Sequence, residues 1–204
     1  MLSYQTIEPH TLELLRRLSA SPLLSDLRLV GGTSLALQYG HRRSIDLDLF
    51  GTLTASDIEL HQLLSDIGRY EVLKETEHIK LFTIEGVRVD IVDYFEYPWI
   101  DGPILEDNLC LASPKDIAAM KVYAIEGRGS RKDFVDMYFL LKHYTLTEIL
   151  DFYKLKYPNY SIFRALMSLT YFDDAEKEMM PKMIVPVSWE EVKSFIVNEV
   201  RGIK

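Results

Sequence analysis

The chain of 204 residues is 48% hydrophobic and 26% charged, with a net charge of −8 and one cysteine, Cys110. This is ordinary globular composition; the lone cysteine rules out an internal disulfide, and no apolar run is long enough to predict a transmembrane helix. The acidic total argues against a protein that coats nucleic acid with its whole surface, and the N-terminus lacks the pattern of a secretory signal. We therefore expect a cytoplasmic protein with no membrane partner.

Helices and strands alternate in the first hundred residues. Leucines near helical spacing predict an amphipathic helix over residues 7–18. A short strand over 26–30 stops at Gly31-Gly32, and a helix over 33–39 and a second strand over 45–50 follow. Ser56 and Glu59 form a capping box for a helix over 56–67. Strands are then predicted over 70–74, 79–84 and 87–94, the last two as a hairpin.

Nearly every pattern after residue 112 is helical. Ser113-Pro114 is typical of a helix start, and further helices are predicted over 130–143, 147–156, 161–171 and 188–200. Proline and glycine mark the connection over residues 98–112. The predicted fold class is therefore α+β: residues 1–100 form a mixed sheet with flanking helices, and residues 101–204 form a helical domain that completes a cleft.

Acidic residues alternate with apolar ones on the second strand. Asp46 and Asp48 stand at positions i and i+2, so both side chains point to one face, whereas Ile45, Leu47 and Leu49 are expected in the core. Two adjacent carboxylates repel each other unless a cation lies between them. Mg²⁺, or Mn²⁺ in its place, is the expected ion because it takes oxygen ligands and is often held by carboxylates together with substrate phosphates.

A third carboxylate is expected on a neighbouring strand. In the segment 87–93, Asp90 shares one face with Arg88, while Asp93 has the opposite parity. Asp90 can therefore join Asp46 and Asp48. Three apolar residues define the other face of this strand: Val87, Val89 and Ile91.

The Gly31-Gly32 pair supplies the second half of a phosphoryl-transfer site. Glycines between a strand and a helix let the backbone approach a phosphate, and the helix N-terminus offers free N–H groups. Ser34 adds a hydroxyl donor in the same segment. An Asp-x-Asp pair alone is also common on solvated strands; the three parts in order predict phosphate binding next to a metal.

Two residues of the helical half are candidates for the same site. Lys121 lies on the edge of an apolar stripe, so its ammonium either points at a triphosphate or extends into solvent. Asp133, three residues after Ser130, is either a functional carboxylate or part of a capping box. Asp136 is a weaker candidate.

Two basic clusters could supply a confined groove for nucleic acid. The first is His41-Arg42-Arg43, and the second is Arg128 with Arg131-Lys132. Solvated loop charges are the alternative for both clusters.

Several blocks of the chain resemble the AbiEii/AbiGii-like nucleotidyltransferases, the toxin components of abortive-infection and type IV toxin–antitoxin systems. The matching blocks are Gly31-Gly32-Thr33-Ser34-Leu35, Arg42-x-Ser44-x-Asp46-Leu47-Asp48, Val89-Asp90, and Lys121 with Arg131-Lys132-Asp133-x-x-Asp136. The resemblance covers roughly residues 27–142 and implies a polymerase-β-like fold, a bacterial or archaeal source, use of Mg²⁺ and an NTP, and transfer to RNA such as tRNA acceptor ends. It also implies a separate antitoxin protein, catalytic roles for Lys121 and Asp133, and metal binding by the three acids. The residues implied to bind nucleotide are Gly31, Gly32, Thr33, Ser34, Arg42, Ser44 and Lys121.

Two other functions fit the same residues. One is a module that binds nucleotide or a partner without turnover, and the other is an enzyme that transfers a nucleotide to a protein side chain. A complete carboxylate set favours an active enzyme over the module, because a charge cluster of this kind is costly to keep.

Overall fold

The computed structural model describes residues 1–203, which fold into eight α-helices and seven β-strands. The helices are α1 (Pro9–Ser19), α2 (Gly31–Tyr39), α3 (Asp57–Ile67), α4 (Pro114–Gly127), α5 (Arg131–Leu140), α6 (Leu146–Lys156), α7 (Ile162–Ser168) and α8 (Trp189–Gly202). The strands are β1 (Leu27–Val30), β2 (Leu47–Gly51), β3 (Tyr70–Glu75), β4 (Ile79–Ile84), β5 (Val87–Asp93), β6 (Ile104–Glu106) and β7 (Leu109–Leu111).

All seven strands belong to one mixed sheet in the order β3-β4-β5-β2-β1-β7-β6. The centre of the sheet combines both strand directions: β1 runs antiparallel to β2, while β2 is parallel to β5 and β1 is parallel to β7. The parallel register of β2 and β5 places Asp48 directly opposite Asp90. Val30, the last residue of β1, lies opposite Asp48 in the antiparallel register, so α2 starts next to this pair.

Local sequence signals set several element ends as expected. The capping box of Ser56 and Glu59 is present at the start of α3. Ser113 caps α4, where its Oγ accepts a hydrogen bond of 3.1 Å from the backbone N–H of Asp116. Because these signals depend only on neighbouring residues, they can be read without knowledge of the tertiary fold.

Four element predictions were wrong in detail. Strand β2 begins at Leu47 rather than at residue 45, and Ile45 is 63% exposed instead of lying in the core. Helix α2 includes Gly31 and Gly32 as its first residues, and α7 ends at Ser168. The connection over residues 98–112 contains the β6–β7 hairpin, whose three-residue strands are too short to show an alternating pattern.

The buried apolar side chains form two clusters. One lies between the sheet and the N-terminal helices, and the other lies among the C-terminal helices. The helical cluster also contains Val30 at the end of β1 and Leu35 in α2, so the two halves meet where α2 begins. Within residues 1–203, no helix has the length and hydropathy needed to cross a membrane.

Candidate active site

The centre of the site is the pair Asp48 and Asp90 on strands β2 and β5. Their strand neighbours Leu47 and Val89 are fully buried, so the two carboxylates lie on the opposite face of the sheet from that core. Burial, together with the nearby charge of Asp90, raises the pKa of Asp48 to about 6. The predicted alternation of buried apolar and acidic residues is confirmed on β5, and on β2 from its first residue, Leu47.

Asp46 lies just before β2 and is held by contacts from two sides. The Thr33 hydroxyl donates to the backbone carbonyl of Asp46 and lies 2.8 Å from Ser44 Oγ. The Asp46 carboxylate lies 3.6 Å from Lys132 Nζ on α5. Asp46 is therefore placed by α2 and α5, and not by the ladder of the sheet.

Both glycines at the start of α2 are needed for close approach. Gly31 has φ +67, and an added Cβ would lie 2.2 Å from Asp48 Oδ2. An added Cβ at Gly32 would lie 2.1 Å from Arg42 Nη2. Since only glycine leaves this space, the backbone of α2 can lie directly against a carboxylate and a guanidinium.

A polar cavity of about 170 Å³ lies above these groups. Eight of the predicted site residues line it: Gly31, Gly32, Arg42, Ser44, Asp46, Asp48, Asp90 and Lys121. Three cationic residues that were not among the predicted site residues also line it: Arg88, Arg128 and Lys132.

Three predicted site residues, Thr33, Ser34 and Asp133, do not line this cavity. Ser34 is fully buried, and its hydroxyl accepts a hydrogen bond of 3.1 Å from Gln38 Nε2, which corrects the expectation that it donates to a phosphate. Thr33 is also buried and positions Ser44 and Asp46 instead.

Asp136 on α5 is the centre of a buried ion cluster. Arg42 binds it through both Nε (2.7 Å to Oδ1) and Nη2 (2.8 Å to Oδ2). His41 Nε2 lies 2.7 Å from Oδ1, and Lys121 Nζ lies 2.6 Å from Oδ2. Although burial disfavours its charge, these partners hold the pKa of Asp136 well below the usual value.

Lys121 and Asp133 form the second part of this cluster. Lys121 Nζ donates to Asp133 Oδ1 at 2.9 Å, and Arg128 Nε donates to Asp133 Oδ2 at 2.9 Å. Burial opposes the charge on Lys121, but Asp133 and Asp136 outweigh it and raise the pKa of Lys121. Its ammonium is thus buried between two carboxylates at the edge of the polar cavity, and the solvated alternative for Lys121 is wrong.

Comparison with known proteins identifies the family. A family model described as "Nucleotidyl transferase AbiEii toxin, Type IV TA system" matches residues 13–193. The chain belongs to this family. The resemblance proposed from its motifs is therefore confirmed, and the protein is an AbiEii-family nucleotidyltransferase.

One relative and two solved structures resemble this chain over most of its length. An uncharacterized protein of Aquifex aeolicus (strain VF5) is 33% identical over 195 residues, which cover 93% of each chain. JHP933 from Helicobacter pylori has a similar fold, with a TM-score of 0.54 at 18% identity, covering 98% of this chain and 92% of that one. MenT4, a nucleotidyltransferase toxin from Mycobacterium tuberculosis H37Rv, has a TM-score of 0.55 at 15% identity, covering 94% and 82%. The α+β fold class is confirmed by these likenesses.

The carboxylates of this AbiEii-family site are the type of ligand that a divalent cation takes. Carboxylate oxygens are the ligands that Mg²⁺ takes, and a cation would relieve the repulsion between Asp48 and Asp90. In this structure Asp46 pairs with Lys132, and Asp90 pairs with Arg88 at 3.0 Å. Within residues 1–203, no three potential metal ligands converge on one point. Asp46 and Asp90 would therefore exchange these ion pairs for the cation on binding.

A second, mostly apolar cavity of about 500 Å³ adjoins the polar one. The two cavities share four residues: Gly31, Asp48, Lys121 and Arg128. Aromatic rings, including Phe50, Tyr94 and Tyr123, line much of the second cavity. The Tyr94 hydroxyl is engaged with that of Tyr157 at 2.5 Å, so the phenol group of Tyr94 is already paired within the protein.

Proposed function

We propose that this enzyme transfers an NMP from an NTP to an acceptor hydroxyl, with Mg²⁺ or Mn²⁺, and that the acceptor is RNA such as a tRNA end. The observation that carries the proposal is the pairing of Asp48 with Asp90 on adjacent parallel strands, directly beside the Gly31 backbone. This juxtaposition offers carboxylates for a cation and free backbone N–H groups for phosphate at one point.

The residues of the polar cavity have different roles in the proposed reaction. The backbone N–H groups at the start of α2 bind the β- and γ-phosphates, and Asp46, Asp48 and Asp90 would hold a divalent cation. A bound divalent cation would neutralise charge on the triphosphate. Asp90 also takes the proton of the acceptor hydroxyl, whose oxygen attacks the α-phosphorus while the bond to the β-phosphate breaks and pyrophosphate leaves.

Cations from the helical half stabilise the charge that develops on the phosphates. Lys121 lines the polar cavity while its ammonium is held by Asp133 and Asp136. Because these partners fix the ammonium before substrate binds, little reorganisation is needed during the reaction. In this scheme Lys121 is the catalytic cation and Asp133 positions it.

The aromatic cavity is suited to the nucleoside of the NTP. It begins at Gly31 and Asp48, where the phosphates would lie, and its volume falls in the range of about 300–1,000 Å³ that is usual for small-molecule sites. Aromatic rings bind a base through its π face.

The proposal is tested with radiolabelled NTPs, Mg²⁺ and total bacterial RNA. We expect label in RNA with the wild type, and a loss of at least about 100-fold in Asp48→Asn, because a ligand of the cation that would neutralise charge on the phosphates is removed. Asp26→Asn, an exposed residue preceding β1, is the matched control and should keep full activity. Full activity in Asp48→Asn would contradict the assignment.

The same assay separates the other two functions. Tight NTP binding with no labelled product identifies a binding module, and label in polypeptide identifies a protein acceptor. The family also implies an antitoxin partner. We propose that such a partner is a separate protein, and inhibition of transfer by the product of a neighbouring reading frame tests it.

A further inference from the structure

A basic groove of about 370 Å³ adjoins the polar cavity at Arg42, Ser44, Asp46 and Lys132 and shares no lining residue with the aromatic cavity. We define it by its three exposed cations, Arg43, Lys132 and Lys182. Two carboxylates, Glu8 and Asp46, also line it. In a protein with a net charge of −8, positive charge is thus concentrated next to the reacting groups.

The C-terminal segment builds one wall of the basic groove. The backbone N–H of Arg43 donates to the carbonyl of Lys182 at 2.8 Å, and that of Ile184 donates to the carbonyl of His41 at 2.9 Å. Arg42 and Met183 form an antiparallel bridge between these hydrogen bonds. Main-chain pairing therefore fixes Lys182 beside Arg43.

The ion pairs of the basic groove leave positive charge available. Arg43 Nη1 lies 2.7 Å from Glu8 Oε1, but both side chains are about half exposed, so this pair is weak. Lys182 forms no salt bridge with any residue in the range 1–203. Among residues 1–203, Lys132 pairs with Asp46 alone, at 3.6 Å, and its side chain is about half exposed, so this pair is also weak.

We propose that the basic groove binds backbone phosphates of an oligonucleotide acceptor and leads its terminal hydroxyl to the polar cavity. This inference rests on the proposed function in one respect, because the groove is argued to lead the acceptor to the hydroxyl-transfer site proposed above. Exposed lysines and arginines in a groove are the usual phosphate-binding groups of proteins that bind nucleic acid. The aromatic cavity is less suited to a phosphate backbone, because its lining is mostly apolar and its cations, Lys121 and Arg128, lie only where it adjoins the polar cavity.

The chemistry of the groove is phosphate binding, and the phosphates have two possible sources: the acceptor strand or the terminal phosphates of the NTP. The variants that distinguish them are Lys182→Ala and Arg43→Ala, both at exposed positions where folding should be retained. Lys154→Ala, an exposed lysine on α6 that does not line the groove, is the matched control. Circular dichroism checks that each variant is folded.

Binding of a fluorescent single-stranded oligoribonucleotide is measured by anisotropy, without NTP or metal, at several salt concentrations. We expect Kd to rise about 3- to 10-fold in each groove variant, and the slope of log Kd against log salt to fall by about one. The KM for NTP in the transfer assay should stay unchanged, and Lys154→Ala should match the wild type in both measurements.

Three results would overturn the inference. Unchanged Kd with a raised KM for NTP would assign the groove to the triphosphate, and unchanged values of both would show that it is not a phosphate site. Failure of the wild type to bind the oligonucleotide would exclude it outright. If the wild type transfers no nucleotide but its salt-dependent binding is weakened by Lys182→Ala, the groove assignment stands and the proposed function fails.

Discussion

At the scale of single residues, the site depends on the contact between Gly31 and Asp48. The positive φ of Gly31 and the 2.2 Å that would separate an added Cβ from Asp48 Oδ2 exclude any side chain without movement. The Asp48 carboxylate would move more easily than the backbone of α2, because it is the end of a flexible side chain. A substitution at Gly31 therefore displaces the group proposed to hold the metal.

We predict that Gly31→Ala lowers kcat/KM for nucleotide transfer by about 100-fold, the effect of displacing a reacting group by about 1 Å. Steady-state kinetics with a labelled NTP measures the change. Gly102→Ala is the control, since an added Cβ there meets nothing within 4 Å. Equal rates for the two variants would show that the contact between Gly31 and Asp48 has no role.

At the scale of elements, Asp136 joins α5 to α4 and to the segment before β2. It contacts Arg42 and His41 from that segment and Lys121 from α4, and its side chain is fully buried. Removing the negative charge would leave two buried cations short of a partner, which is more costly than losing an exposed ion pair. The cluster thereby also holds Arg42 against Gly32.

We predict that Asp136→Asn lowers the free energy of unfolding by about 3 kcal/mol or more at pH 7. Since the folded-state pKa of Asp136 is depressed, its contribution is present above the unfolded value of about 3.9 and is lost as pH falls through the folded pKa. Urea unfolding should therefore give equal differences between variant and wild type at pH 7 and 5, and a smaller one at pH 3.

The control for this experiment is Asp151→Asn, an exposed carboxylate on α6. It should change stability by no more than about 0.5 kcal/mol at any of the three pH values. A difference between Asp136→Asn and wild type that grows on acidification would refute the assigned role.

At the scale of the whole molecule, the two apolar clusters are joined at the start of α2. Val30 and Leu35 belong to the helical cluster although they lie in the first half of the chain. The buried ion cluster crosses the same boundary, from Arg42 to Asp136. Opening one half would expose these charges without partners, so the halves should unfold together.

We predict a single cooperative unfolding transition. Trp189 belongs to the helical cluster, and Trp99 packs against it while Arg28 of β1 lies over its ring. Tryptophan fluorescence therefore reports on the helical half and its boundary with the sheet, whereas far-UV circular dichroism reports on the whole chain. The two probes should give the same midpoint in urea. Separate midpoints would instead indicate that residues 1–100 and 101–204 are independent domains. The division of the chain into these two domains stays a prediction.

The sequence by itself determined the parts of the site that depend on local periodicity. The alternation in β5 separated Asp90 from Asp93, and the Gly-Gly pair after a strand marked a close approach of the backbone, which the structure shows against Asp48 and Arg42. The same applies to the capping box of α3. These features follow from side-chain direction and from hydrogen bonds between near neighbours, which act over a few residues.

Only the tertiary structure decided which charges meet. Asp136 was a weaker candidate in the sequence, yet it is the centre of the ion cluster, and the pairing of Lys132 with Asp46 crosses from α5 to the edge of the sheet. Lys182 reaches the site through main-chain pairing with Arg43. Burial and ion pairing depend on segments that are distant in the chain, so a local pattern carries no signal for them.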